Sequence, residues 1–226
     1  MSLPKINSYE IKTSRTGKQI PVVNDVHLHS IYNPFKEAES LIENHLEALK
    51  TKNEVLILGL GFAYHVNEVI EKLSEFHGEN FKVIVIEPNY KVYDDCINLN
   101  LLNKKNLLVY SGFNASELYS DLDLVHFLLR KPALIAHPAS FNLYQLYFKA
   151  VLNFEAPRSI EEIAKIITTI EIKNYLNSFD PKANFSEVLY GSIPKKNNLA
   201  HIDFLALALA EMTKKSHSSQ LDFGEA

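Results

Sequence analysis

Two unbroken apolar runs, Val55-Leu56-Ile57-Leu58 and Val83-Ile84-Val85-Ile86, restrict what this chain can fold into more than any other feature. A strand covered on one face alternates apolar and polar residues, whereas a run that is apolar at every position fits a parallel strand buried on both faces. Each run is followed by an amphipathic stretch, over 63–76 and 89–98. Leu107–Tyr110 and Ala133–Ala136 continue the series, with a helical pattern over 115–129 between them. Strands alternating with helices through short connections predict right-handed crossovers, and hence a Rossmann-like, doubly wound, mostly parallel α/β sheet. Ligands of such sheets lie at the carboxyl ends of the strands.

The flanking segments read differently. Tyr9–Thr13 and Lys18–Val23 surround Arg15-Thr16-Gly17, which predicts an N-terminal β-hairpin. Asn33-Pro34 has the form of a helix cap followed by proline at the first helical position, and apolar residues at helical spacing extend the helix over 34–50. After Pro138 the strands stop, and Leu143–Phe154, Ser159–Ser178 and Ala200–Lys214 read as helices. The expected organisation is a leading hairpin and helix over 1–52, a Rossmann-like α/β domain over 53–155, a helical extension over 156–215 and a flexible tail over 216–226. The apolar Ile160–Ile172 face offers a surface for a protein partner.

Composition narrows the partners. With 46% hydrophobic residues, 22% charged residues and a net charge of −4, the chain is an ordinary globular one without the broad cationic surface that nucleic acid requires. Val55–Leu60 and Phe204–Ala210 are far shorter than a bilayer-spanning helix, and Met1–Ser8 lacks the apolar core of a signal peptide, so a cytoplasmic location is expected. The single cysteine, Cys96, excludes an intrachain disulfide and a cysteine-based zinc cluster, and reads as a helix-face residue.

Gly59-Leu60-Gly61 stands between the first apolar run and the following helix. Glycines there permit a tight turn and close ligand approach, while the first free amides of the helix face an anion or polar group. The third glycine of a dinucleotide fingerprint would fall at Tyr64, so the pattern departs from ordinary NAD sites. Glu87 ends the second run, where a carboxylate commonly accepts ribose hydroxyls; capping the next helix is its structural alternative. Tyr64 and His65 lie in the first turn of the helix, positioned to reach over a ligand. The candidate binding set is therefore Gly59, Gly61, Tyr64, His65 and Glu87. A methyltransferase using S-adenosylmethionine is an alternative on the same turn, although Ile57 stands where such enzymes usually carry an acid.

Asp25-Val26-His27-Leu28-His29-Ser30 resembles the opening motif of the polymerase-and-histidinol-phosphatase phosphoesterases. In an extended segment Asp25, His27 and His29 share one face, a spacing suited to a metal that activates water, with His137 as a distant fourth ligand. Later strand ends supply too few further ligands for that barrel. The simpler reading assigns no metal and places His27 and His29 beside the sheet.

Three segments taken together resemble the N-terminal domain of the bacterial motility accessory factor glycosyltransferases: His29-Ser30 with Asn33-Pro34 and Glu37-Ala38; Gly59-Leu60-Gly61-Phe62-Ala63-Tyr64-His65; and Val85-Ile86-Glu87-Pro88. The resemblance spans about Val26 to Phe148, with Ala63 where the family usually has glycine. It implies a nucleotide-sugar context, transfer of a nonulosonic acid from a CMP donor to flagellin Ser or Thr. The family's central catalytic domain has a G-P-S-L-type loop that is absent here. The expectation is thus a Rossmann-like protein that binds a nucleotide or nucleotide sugar, CMP-linked or other, without catalytic residues assigned.

Overall fold

The first apolar run becomes β4 (Glu54–Leu58), an inner strand of a parallel sheet in which Val55, Ile57 and Leu58 have no solvent exposure. In this computed structural model the described residues are 3–156, with positions 159, 161, 162, 165, 170, 173 and 174 beyond them. The chain divides into two compact units, Met1–Glu155 and Ala156–Ala226, and the strands and the helices that flank them belong to the first. The helices expected within 156–215 and the tail over 216–226 fall almost wholly outside the described residues.

Sheet order is β6-β5-β4-β7, all parallel, with β5 at Lys82–Glu87, β6 at Leu107–Ser111 and β7 at Ala133–Ala136. Register pairs Leu58 with Ile86 on one side and with Ala136 on the other. The chain runs from β4 outward through β5 to β6, then returns past the start to place β7 on the opposite side of β4. Right-handed crossovers therefore put α3 (Tyr64–His77) and α4 (Tyr90–Asn98) on one face, and α5 (Ala115–Ser120) with α6 (Leu122–Leu129) on the other. This reversal lies between β4 and β7, and the crevice outside the carboxyl ends of two such strands is where open α/β sheets bind ligands. The expected doubly wound α/β class is what the chain adopts.

A separate antiparallel sheet precedes it, formed by β1 (Tyr9–Thr13), β2 (Gln19–Val23) and a short β3 (Val26–His27) that the hairpin reading did not include. Two predicted helices are each interrupted. The first becomes α1 (Pro34–Glu43) and α2 (Leu46–Thr51), separated where the Asn44 side chain donates to the Ser40 carbonyl and the His45 ring bonds the Leu41 carbonyl. The 115–129 pattern breaks at Asp121, whose carboxylate accepts from the Asp123 and Leu124 amides and so caps a new helix. The helix expected over Leu143–Phe154 is α8 (Gln145–Leu152), and a short α7 (Pro138–Leu143) that the sequence reading did not include precedes it. Apolar periodicity continues across both breaks, which is why the sequence reads each as continuous.

Among the described residues, no helix is long and apolar enough to cross a membrane. Ile57, on the inner strand β4, is wholly buried. Ile57→Ala is expected to lower unfolding stability by about 2–5 kcal/mol, read as a reduced urea midpoint with an unchanged denaturant slope.

Candidate functional site

Past Leu58 the backbone enters a turn with three positive φ angles: Gly59 at +95°, Gly61 at +50° and Ala63 at +61°. Both glycines are required by close neighbours. A Cβ on Gly59 would lie 2.3 Å from Ser140 Cβ, and one on Gly61 would lie 2.3 Å from His29 Nε2. Ala63 holds the left-handed conformation that the family resemblance assigns to glycine, a conformation costing an L-residue roughly 1–2 kcal/mol. In place of an open cradle, the turn is filled by side chains of the protein itself.

Two amides of the turn, and that of Asn89 at the start of α4, are taken by buried side chains. Leu60 N–H donates to Glu87 Oε2 at 2.8 Å, Asn89 N–H donates to Glu87 Oε1 at 2.9 Å, and Phe62 N–H donates to His29 Nε2 at 2.8 Å. Glu87 has no solvent exposure. Burial pushes its carboxyl up to about 7, against the opposing pull of the Leu60, Asn89 and Gly61 amides. Cys96, buried on α4, donates its thiol to the Gly61 carbonyl at 3.3 Å, and burial pushes the thiol far above the usual range. It is a packed helix residue, as its sequence context indicates.

Three histidines meet beside this turn. His29 precedes α1, His65 lies in the first turn of α3, and His137 follows β7; their exposures are 3%, 1% and 2%. One ligand atom from each lies within 4.8 Å of the others. The His65 and His137 rings stack at 4.3 Å with an interplanar angle of 4°, and the His29 ring centre is 4.8 Å from that of His137. Burial lowers the pKa of all three, to about 3 for His65, and for His65 and His137 the neighbouring rings add to the effect; all three are neutral at physiological pH.

Each neutral ring has one nitrogen held by a different kind of partner. His29 Nδ1 faces Glu37 Oε2 at 3.3 Å; because its Nε2 accepts from Phe62, the ring proton is on Nδ1 and donates to Glu37. His65 Nε2 donates to the Gly59 carbonyl at 2.9 Å, leaving the lone pair on Nδ1, which is buried and has no hydrogen-bond partner among the described residues. His137 Nδ1 lies 2.8 Å from Ser140 Oγ. Next to the rings opens a cavity of about 200 Å³ whose polar lining includes Glu37, Ser40 and Asn44 from the α1 side.

The five residues expected at the site all come to the carboxyl end of the sheet, but four of them face inward. Gly59, Gly61 and Glu87 belong to the closed turn. Tyr64 is 5% exposed and donates its hydroxyl to the Gln19 carbonyl at 2.7 Å, with burial pushing its pKa up to about 12. His65 lines the cavity. The Asp25, His27, His29 set is not assembled. Asn24 and Asp25 form a tight turn with φ of +49° and +63°, Asp25 is exposed, and β3 ends at His27, so only His29 continues inward. His137, considered with that set, instead joins His29 and His65. The sequence signal for this cluster was a histidine at the carboxyl end of each strand that borders the reversal, His65 after β4 and His137 after β7.

Fold and site together define a Rossmann-like α/β protein whose glycine turn is closed from within and whose cavity lies at the β4–β7 reversal. No protein-family model and no curated protein matches the chain. It is similar to the solved structure of MNMC2 from Aquifex aeolicus, with 12% identity and a TM-score of 0.37 over 74% of this chain and 77% of that one.

Two outcomes test the closed turn. Gly61→Ala places a methyl group in the His29 ring and is expected to cost more than about 2 kcal/mol, whereas Ala63→Gly relieves a strained φ while losing a buried methyl and is expected to shift stability by less than about 1 kcal/mol. Urea midpoints distinguish the two. Glu87 titrates near 7 when folded and near 4.5 when unfolded, so its contribution is full below about 4.5 and lost as pH rises through 7. The stability difference between the wild type and Glu87→Gln is therefore expected to fall by up to about 3 kcal/mol from pH 4.5 to 8, and to be flat above.

Proposed function

We propose that this chain is a nucleotide-sugar-binding protein of the Rossmann-like class, related in role to the N-terminal domain of motility accessory factors, and that its ligand enters the cavity at the β4–β7 reversal. One observation carries this reading. The three sequence segments on which the family resemblance rests are far apart in the chain, yet they form one hydrogen-bonded unit: Glu37 accepts from the Ser30 amide at 2.8 Å and faces His29, His29 accepts from Phe62, and Glu87 accepts from Leu60. A motif made only of a strand, a turn and a helix would not need the first segment to reach the turn.

The contact residues differ from those of an open glycine cradle. With its amides committed to Glu87 and His29, the turn shapes the wall of the cavity, and Glu37, Ser40, Asn44, His65 and His137 face the incoming group. A cavity of about 200 Å³ is below the 300–1,000 Å³ that encloses a drug-sized ligand, so one ring or one hydroxyl-bearing group is held and the remainder of the nucleotide lies over the rim. The lining has a carboxylate and neutral imidazoles, a set that favours hydroxyl donors over phosphate. Glycosylation of flagellin or another surface protein is the process this binding would serve.

Differential scanning fluorimetry with CMP, a CMP-activated sugar, a UDP-sugar and S-adenosylhomocysteine, each at millimolar concentration, tests the reading. The CMP-activated sugar is expected to raise the melting temperature by at least about 2 °C. Ser40→Phe, which fills the exposed mouth of the cavity, is expected to abolish that rise without changing the unliganded melting temperature. A rise with S-adenosylhomocysteine alone would transfer the assignment to a methyltransferase, and no response to any nucleotide would end it.

A further inference from the structure

We infer that His29, His65 and His137 form a binding site for a divalent transition-metal ion such as zinc, open towards the adjoining cavity. The three residues come from three separate segments and are almost fully buried, with one nitrogen from each inside a 4.8 Å sphere of mutual approach. Histidines that ligate a metal characteristically anchor their other nitrogen on a carboxylate, a backbone carbonyl or a similar acceptor. Here His29 Nδ1 is anchored on Glu37, His65 Nε2 on the Gly59 carbonyl and His137 Nδ1 on Ser140 Oγ, so each ring presents the opposite nitrogen.

A second observation, independent of this convergence, points to a ligand. His65 Nδ1 is buried with no partner among the described residues, although its lone pair is fixed in place by the bond from Nε2 to Gly59. Leaving such an acceptor unpaired in an interior costs free energy, and a metal or a donor removes that cost. Three imidazole nitrogens with adjoining open space make the ligand set of a metal that keeps a coordination position for water or a substrate oxygen. Glu37 would act as a positioning residue behind His29.

Binding must also change the geometry. Nitrogens bound to tetrahedral zinc at about 2.0–2.1 Å lie roughly 3.4 Å apart, so the cluster must contract. The His65 and His137 rings are parallel, and an ion lying in the plane of both requires one ring to leave the stack. His29 Nε2 must also release the Phe62 amide, which couples metal binding to the shape of the glycine turn.

The test uses the full chain, loaded with zinc or cobalt, freed of excess metal by gel filtration, and measured by elemental analysis. About one equivalent of zinc is expected, and the cobalt form is expected to show the visible absorption of a low-coordinate nitrogen site. His65→Ala and His137→Ala are each expected to lose the equivalent. Should those variants fail to fold, Glu37→Gln leaves the three rings in place and is expected to weaken zinc binding about 10–100-fold in competition with a chromophoric chelator. Less than about 0.1 equivalent in the wild type, or zinc affinity unaltered in Glu37→Gln together with retained metal in any folded histidine variant, overturns the proposal. None of these measurements involves a nucleotide, so their failure is separable from failure of the proposed ligand binding.

Discussion

A peptide amide buried without a partner is costly, and the turn after β4 has to bury several at once. Glu87 and His29 solve that problem from opposite sides, one accepting from Leu60 and Asn89, the other from Phe62. Most of the arrangement at the top of the sheet follows from these bonds. Glu87 fixes the end of β5 against the turn, and His29 brings in the segment that precedes α1. Glu37 then orients His29, and α1 is brought over the cavity.

Burial gives this region its electrostatic character. The interior holds a carboxyl group near neutrality in its titration and three uncharged imidazoles, with the half-exposed Glu37 carboxylate at the rim of the cavity. Such a lining offers lone pairs far more readily than positive charge. It suits hydroxyl groups and metal cations, and it repels a phosphate that lacks a cation of its own.

The sheet was legible in the sequence because strands buried on both faces have only one way to be written, as apolar runs at every position. The inner strands β4 and β5 are of that kind; the edge strands β6 and β7 leave Leu108 and Leu134 exposed but are also apolar runs, and all four lie where the runs fall to within a residue at either end. Helix interruptions were less legible, since Asn44 and Asp121 act through local bonds without disturbing apolar periodicity. The glycine turn was visible, but its occupant was not. Gly59 and Gly61 announce a close approach, and only the tertiary structure shows that Ser140 and His29 make it. The same limit hid the histidine cluster, whose members are unrelated in spacing and are joined only by strand order.

Gly61 lacks a side chain so that the His29 ring can occupy the place where one would stand. The two positions, 32 residues apart in the chain (61 − 29), therefore share one volume. A larger residue at 61 demands a smaller one at 29, and a smaller residue at 29 would free the Phe62 amide and reopen the turn to solvent. A change at 61 is therefore tied to a change at 29, while Glu87 and Ser140 keep the rest of the turn closed whatever stands at either position.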